Sequence, residues 1–117
     1  MSYKIVRRNE AIPYEAPGHF DVRTMRLHNP EDVNEGKIVM GLSHFLPGGG
    51  CEFGGNPLES IYYIIEGEMD IEIEDGTKTT LHAGDSFHCG PFTKKRIKNN
   101  GPVTCQMLVC LVPPDKK

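Results

Sequence analysis

Hydrophobic and polar residues alternate along the chain in short runs, with the period of two that is typical of β-strands. The clearest run is residues 69–74, where Met and Ile alternate with Asp and Glu. Asp75 and Gly76 then favour a hairpin turn. Further runs rich in β-forming residues predict strands over residues 21–27, 37–46, 59–66, 77–82, 86–89, 96–99 and 103–112. About nine short strands without helical periodicity indicate an all-β sandwich or barrel.

Turn-forming segments separate the predicted strands, because Pro and Gly interrupt regular structure. Residues 8–20 carry two prolines and a glycine, which indicates an extended arm, and the polar residues 28–36 indicate a loop. Pro47 and the three glycines after it predict the end of the strand over residues 37–46. We expect a single domain over residues 1–117, with an N-terminal arm (1–20), a barrel core (37–112) and a tail (113–117).

Composition excludes several classes of function. A chain of 117 residues has the length of one domain, and its net charge of −3 and pI near 5.9 give no reason to expect nucleic acid as a partner. No apolar run approaches the ~20 residues of a membrane span, and the charged first ten residues do not resemble a signal peptide. The four cysteines form no C-x-x-C pair. These features predict a cytoplasmic protein with reduced thiols and no membrane partner.

Two segments resemble the paired motifs of the cupin superfamily. The first spans residues 41–67 (GLSHFLPGGGCEFGGNPLESIYYIIEG) and the second residues 84–101 (GDSFHCGPFTKKRIKNNG), with a predicted hairpin between them. The resemblance implies an all-β double-stranded β-helix, which is a small jelly-roll barrel with a ligand pocket inside its mouth. It also implies a homodimer.

The metal-binding residues of the family are missing at the matching positions. Cupins commonly hold a transition metal with a His-x-His pair and a Glu in the first motif and a His in the second. The resemblance places these ligands at Gly54, Asn56, Ser60 and Lys95. Glycine has no donor atom, and a protonated lysine repels a cation. We therefore predict no metal cofactor, while a displaced metal site, drawn from His44, Cys51, Cys89 and Glu52, stays open as an alternative.

Lys95 is the principal candidate for chemistry. If the resemblance holds, its side chain points into the barrel, where burial lowers the pKa of a lysine. It would then act as a base, form a Schiff base, or bind a carboxylate while still charged. The alternative interpretation is that Lys95 belongs to a solvated basic patch over residues 94–98. Alternation favours the pocket, because it places Lys95, Ile97 and Asn99 on one face.

The remaining candidates lie near the vacated ligand positions. Glu59 and Glu52 are the nearest acids, either as acid–base partners of Lys95 or as rim carboxylates in water. By alternation from Ser60, Tyr62 points inward and Tyr63 outward. Among the histidines of the strands His44 is the best inward candidate, but alternation leaves its face open. The candidate ligand-binding residues are Asn56, Ser60, Tyr62, His44 and Asn99.

These observations predict a small-molecule-binding cupin without the usual metal site. We expect a metal-independent isomerase or lyase that acts on a small anionic, carboxylate-bearing metabolite, because Lys95 would provide a local positive charge in an acidic chain. One alternative is a non-catalytic ligand-binding or sensory cupin. The other is a metal-dependent oxygenase or lyase with a displaced site.

Overall fold

The computed structural model describes residue 1, residues 3–32 and residues 36–113. Two short 3₁₀ turns occur, at Arg8–Glu10 and Pro30–Asp32. Within the described ranges, no helix has the length and apolar character that crossing a membrane requires. All other regular structure is strand, as the alternation predicted: β1 (Ile12–Tyr14), β2 (His19–His28), β3 (Val39–Gly54), β4 (Glu59–Glu66), β5 (Glu68–Ile73), β6 (Lys78–His82), β7 (Ser86–Cys89), β8 (Lys95–Lys98) and β9 (Cys105–Val112).

The strands pair antiparallel in the order β6-β5-β8-β3-β9-β4-β7, with β2 also paired to β3 and β1 paired to β2. Strand β3 connects the two sides of the molecule. Its first half pairs with β9, from Val39 opposite Leu111 to Phe45 opposite Cys105. Its second half pairs with β8, beginning with Gly50 opposite Lys98. The sheet curls into a nearly closed jelly-roll barrel, which confirms the predicted fold class and leaves few free strand edges.

Strand β3 is longer than the sequence predicted. The prediction ended this strand at Pro47, but pairing resumes at Gly50 and continues to Gly54. A Cβ atom on Gly49 would lie 2.2 Å from the Asp21 carbonyl oxygen, and one on Gly50 would lie 2.1 Å from that of Ile97. The glycines therefore allow the bent strand to lie against its neighbours, so they act in close packing rather than as a strand end.

The N-terminal segment is more ordered than the predicted arm. It contains the first 3₁₀ turn and β1, which pairs with β2 from Ile12 opposite Arg26 to Tyr14 opposite Thr24. The second 3₁₀ turn lies in the predicted loop over residues 28–36. Residues 33–35 of that loop and residues 114–117 of the predicted tail lie outside the described residues.

The core lies between the inward faces of the strands. On β4 the burial alternates strictly, with Ser60, Tyr62 and Ile64 buried and the residues between them exposed. This result confirms the inward Tyr62 and the outward Tyr63. The side chains packed most deeply in the core are Phe45, Ile64, Met69 and Cys105. This apolar core supports a cavity on the β2, β3 and β8 side of the barrel.

Candidate functional site

A cavity of about 400 Å³ opens inside the barrel. This volume suits a small organic molecule. Strands β2, β3, β8 and β9 form its walls together with residues 14–19 of the N-terminal segment. Much of the wall is apolar, with side chains contributed by Phe45, Leu58, Ile97, Met107, Val109 and Leu111.

Lys95 lies in this cavity and not in a solvated basic patch. Its side chain is 7% exposed, whereas Lys94, Arg96 and Lys98 are exposed. On β8 it lies opposite Gly54 of β3, so the two positions that the family motif aligned are neighbours in space. Gly54 contributes no side chain, and a Cβ atom there would meet nothing closer than 4.0 Å. The cavity therefore extends into the space beside Lys95.

The surroundings of Lys95 keep it positively charged. Burial acts to lower its pKa, but the charge and hydrogen bonding of the Tyr62 hydroxyl, followed by the thiols of Cys89 and Cys51, raise the pKa above its ordinary value. The amine also lies 5.1 Å from the centre of the Tyr62 ring. The net direction is a raised pKa, which favours the charged ammonium form of Lys95 over the neutral amine that burial alone would favour. Among the described residues it forms no ion pair.

The two candidate acids lie in different places. Glu52 is exposed at the rim of the cavity, between it and a neighbouring surface groove. Glu59 lies on the outer surface, where His88 Nε2 donates a hydrogen bond of 2.7 Å to its Oε2. Of the two interpretations given for Glu59, an acid–base partner of Lys95 is not supported, because the alternation that buries Ser60 turns Glu59 outward. Glu52 is thus the one carboxylate in the described lining of the cavity.

Two ligand-binding candidates line the cavity. Asn56 lies at its exposed edge. Tyr62 lies on the inner wall, where its ring stacks on Phe87 with centroids 5.9 Å apart. Ser60 is 2% exposed and lies next to the site, but it is not part of the lining.

The other two candidates point elsewhere. His44 lines a separate groove on the outer face of β2 and β3, together with Arg8 and Arg23. Its prediction as the inward histidine is wrong, because Ser43 and Phe45 are the buried residues of this part of β3. Asn99 is fully buried, and its side chain is hydrogen bonded to backbone atoms on both sides. It supports the fold and is not open to a ligand.

Sequence analysis missed five polar residues of the cavity lining, namely Tyr14, His19, Thr24, Arg26 and Ser43. The His19 Nδ1–H donates to the Pro17 carbonyl over 2.9 Å, and its ring stacks on Phe45. The Arg26 guanidinium carbon lies 4.3 Å from the centre of the Tyr14 ring. Alternation on β2 does not indicate these residues, because its apolar face with Met25 points outward and its polar face lines the cavity.

The residues at this site do not fit a transition metal. Gly54, Asn56 and Lys95 all line the cavity, so the positions of the usual ligands are occupied by a bare backbone, a neutral amide and a cation. In the part of the chain that the structure describes, no group of three or more His, Cys, Asp or Glu side chains is placed to hold one ion. The displaced set is not brought together, because His44 lies on the outer face.

All four cysteines are free thiols. Burial raises the pKa of Cys51 despite opposing effects of the Ile97 backbone and of Lys95. Burial, followed by the charge of Glu68, raises the pKa of Cys105 to about 11. Both thiols are therefore protonated at neutral pH and are poor metal ligands in that state.

A nearly closed jelly-roll barrel with a ligand cavity in its mouth is the architecture of the cupins. A family model described as Cupin domain matches residues 41–111, and the chain belongs to the cupin superfamily. This finding confirms the resemblance that the two motifs carried.

The chain is similar to a protein of Mycobacterium tuberculosis (strain ATCC 25618 / H37Rv) named Beta-D-galactosidase Rv1717, with 32% identity over 111 residues and 95% of each chain covered. Among solved structures it is similar to the polyketide cyclase RemF from Streptomyces resistomycificus, with 18% identity, a TM-score of 0.82, and 97% of this chain and 81% of that chain covered. It is also similar to a predicted oxalate decarboxylase from Thermotoga maritima, with 20% identity, a TM-score of 0.78, and 95% and 100% covered. The two structural similarities show the fold alone.

Proposed function

We propose that the cavity binds a small organic molecule through a carboxylate group, and that Lys95 binds this carboxylate without help from a metal ion. The observation that carries the proposal is a buried ammonium group on the wall of an otherwise largely apolar cavity, with no anionic partner among the described residues. A buried charge is stable only when another group compensates it. Contact with the Tyr62 ring and the hydrogen bond to its hydroxyl provide part of that compensation, and a ligand carboxylate would provide the rest.

The chemistry proposed for this cavity is proton transfer, as in an isomerase or a lyase. Glu52 is the carboxylate at the rim, and it would remove a proton from the carbon next to the bound carboxylate. Lys95, which stays an ammonium group, would stabilise the negative charge that then develops on the carboxylate oxygens. Return of the proton to a different carbon gives isomerisation. Departure of a neighbouring group gives elimination.

Titration calorimetry of the purified protein with lactate, malate and the neutral analogue lactamide tests the binding step. We expect the acids to bind and lactamide not to bind. Lys95→Met keeps the aliphatic stem and removes the charge, so it should weaken binding by about tenfold or more. The matched control is Lys98→Met, an exposed lysine of the same strand. Equal affinities of the wild type and Lys95→Met would contradict the proposal.

A second candidate function is glycoside hydrolysis, which the name of the Mycobacterium tuberculosis relative favours. Most glycosidases use two carboxylates that flank the scissile bond. The described lining of this cavity holds one, Glu52, so an enzyme of this type would need a different second group. The test is release of nitrophenol from a nitrophenyl β-D-galactoside. Activity of the wild type that Glu52→Gln abolishes and the control Glu59→Gln retains would support this candidate over the first.

Two further alternatives are separated by simple measurements. Tight carboxylate binding with no turnover of any bound acid would favour a non-catalytic, sensory protein. Stoichiometric iron, manganese, nickel or zinc in protein purified without a histidine tag would favour a displaced metal site. We expect metal contents far below one ion per chain, because the residues at the vacated positions are poor ligands.

We also propose that the protein is a cytoplasmic homodimer. The free thiols support a reducing compartment. A row of apolar side chains on the outer face of the sheet supports the dimer. The row crosses four neighbouring strands and lies next to the exposed Ile61; its members are Tyr63 on β4, Leu108 on β9, Leu42 on β3 and Met25 on β2. Light scattering should give twice the chain mass for the wild type and for the control Val103→Lys, an exposed apolar residue elsewhere. It should give the monomer mass for Tyr63→Lys, and a dimer of that variant would contradict this interface.

A further inference from the structure

We infer that the ligand of the cavity carries two separated anionic groups, and that Arg26 binds the second one. The inference rests on the proposed function, in which Lys95 binds the first. It assigns a role to a residue that no motif of the sequence singled out.

Arg26 is a free cation in the wall of the cavity. It lies on β2, where Thr24 and Arg26 face the cavity and Arg23 and Met25 face the outer groove. Its side chain is half-buried, and its guanidinium carbon lies 4.3 Å from the centre of the Tyr14 ring. Among the described residues it forms no ion pair and no side-chain hydrogen bond. Contact with the Tyr14 ring holds the guanidinium in place, and its N–H groups are available to bind a carboxylate or phosphate in a bidentate way.

The charges of the lining do not balance without a ligand. Lys95 and Arg26 are both cationic, and the described lining holds one carboxylate, that of Glu52. Glu52 forms an ion pair with neither cation. The local excess of positive charge occurs in a chain whose net charge is −3. Because Glu52 contacts neither cation, one bound carboxylate would pair with one of them, whereas a ligand with two anionic groups would pair with both.

The two cations enter the cavity at separate places. Lys95 lies on β8 opposite Gly54, near the end of β3, and Arg26 lies on β2 opposite Gly41, near its beginning. The bend of β3 around Gly49 separates these two partners. A short carbon chain with an anionic group at each end would contact both, in a cavity of about 400 Å³.

The test compares acids that differ in one charged group. The dianions glutarate and succinate are compared with the monoanions butyrate and propionate. Binding of 2-phosphoglycolate tests whether the second anionic group is a phosphate. We expect one of the dianions to bind at least tenfold more tightly than its singly charged match, because charge-assisted hydrogen bonds to Arg26 add to those of Lys95. Arg26→Gln should remove this advantage and leave the affinity for the monoanion within about twofold. The matched control is Arg23→Gln, an arginine of the same strand on the outer face, which should bind like the wild type.

The outcomes separate this inference from the proposed function. If Lys95→Met weakens both kinds of acid and Arg26→Gln weakens only the dianions, both are supported. If Arg26→Gln binds dianions like the wild type while Lys95→Met does not, the inference is overturned and the proposed function stands. If no acid binds to the wild type at millimolar concentration, both are overturned. Circular dichroism of each variant confirms that it is folded, and a steeper salt dependence for dianions than for monoanions checks the two contacts in the unmodified protein.

Discussion

Asn99 provides the sharpest test of how this barrel is held together. Its side chain is fully buried, and its Nδ2 group donates hydrogen bonds to the carbonyl oxygens of Phe45, over 3.0 Å, and of Val103, over 2.9 Å. Its Oδ1 atom accepts one from the backbone N–H of Gly101 over 2.9 Å. Asn99 thus connects β3 with the turn between β8 and β9, and Asn99→Ala would remove all three bonds.

The cost of Asn99→Ala can be estimated from the groups that lose a partner. The buried N–H of Gly101 has one hydrogen to donate, and leaving it unsatisfied costs ~1–3 kcal/mol. Each of the two carbonyls has a second lone pair, so the loss there is smaller, ~0.5–1 kcal/mol apiece. The free energy of unfolding should therefore fall by about 2–5 kcal/mol, and the melting temperature by about 8–20 °C.

Urea denaturation followed by circular dichroism measures this change. The matched control is Asn100→Ala, because the neighbouring Asn100 makes an exposed hydrogen bond to Asp70, and its loss should cost less than about 1 kcal/mol. At temperatures where Asn99→Ala is folded, we expect its carboxylate affinity to equal that of the wild type. A stable Asn99→Ala protein with weakened ligand binding would refute this account and return Asn99 to the ligand-binding residues.

Three further outcomes are expected. Carboxylate binding should be constant from about pH 6 to 9 and disappear only above the ordinary lysine pKa of 10.5. The reason is that the raised pKa keeps Lys95 charged below that value, and its contribution is lost as the pH rises through the folded-state pKa. A midpoint near pH 7–8 in calorimetric titrations would contradict this. Removal of residues 1–15 should leave the barrel folded by circular dichroism and weaken carboxylate binding, because the segment lines the cavity; unchanged affinity would show that the segment is dispensable. In urea denaturation, Gly50→Ala should lower the unfolding free energy by about 3 kcal/mol, because its Cβ would collide with the Ile97 carbonyl. The control Gly54→Ala should lower it by less than about 0.5 kcal/mol. Similar losses for the two variants would disprove the packing role of Gly50.

Much of the fold could be predicted because a β-strand imposes a period of two on its sequence. Strands β4 and β7 have the predicted bounds, and the predicted hairpin turn at Asp75 and Gly76 joins β5 to β6. The extension of β3 beyond Pro47 could not be predicted. A glycine that ends a strand and a glycine that lets two backbones come into contact look alike in a sequence. Only the positions of the Asp21 and Ile97 backbones show that these glycines are of the second kind.

The candidate site was predicted less completely than the fold. The motifs located Lys95, Asn56 and Tyr62 in one cavity, because these positions belong to the two segments that resemble the cupin motifs. His44 and Glu59 lie outside the cavity. The sequence left the face of His44 open, and Glu59 was a candidate because it is close to the vacated ligand positions. Arg26 was missed because the apolar face of β2 is the outer one, so the rule that apolar residues face the core fails for this strand.

The sequence by itself determined which side chains share a face, because alternation is a local property of extended backbone. Alternation places Lys95 on one face with Ile97 and Asn99. At the positions of the usual metal ligands the sequence has a glycine, an amide and an ammonium group, which are poor ligands for a transition metal. Only the tertiary structure decided which face is inside, because that depends on strands far apart in the chain. The pairing of β2 and β8 with β3 brings Arg26 and Lys95 to one cavity, and the side chains around Lys95 keep it charged.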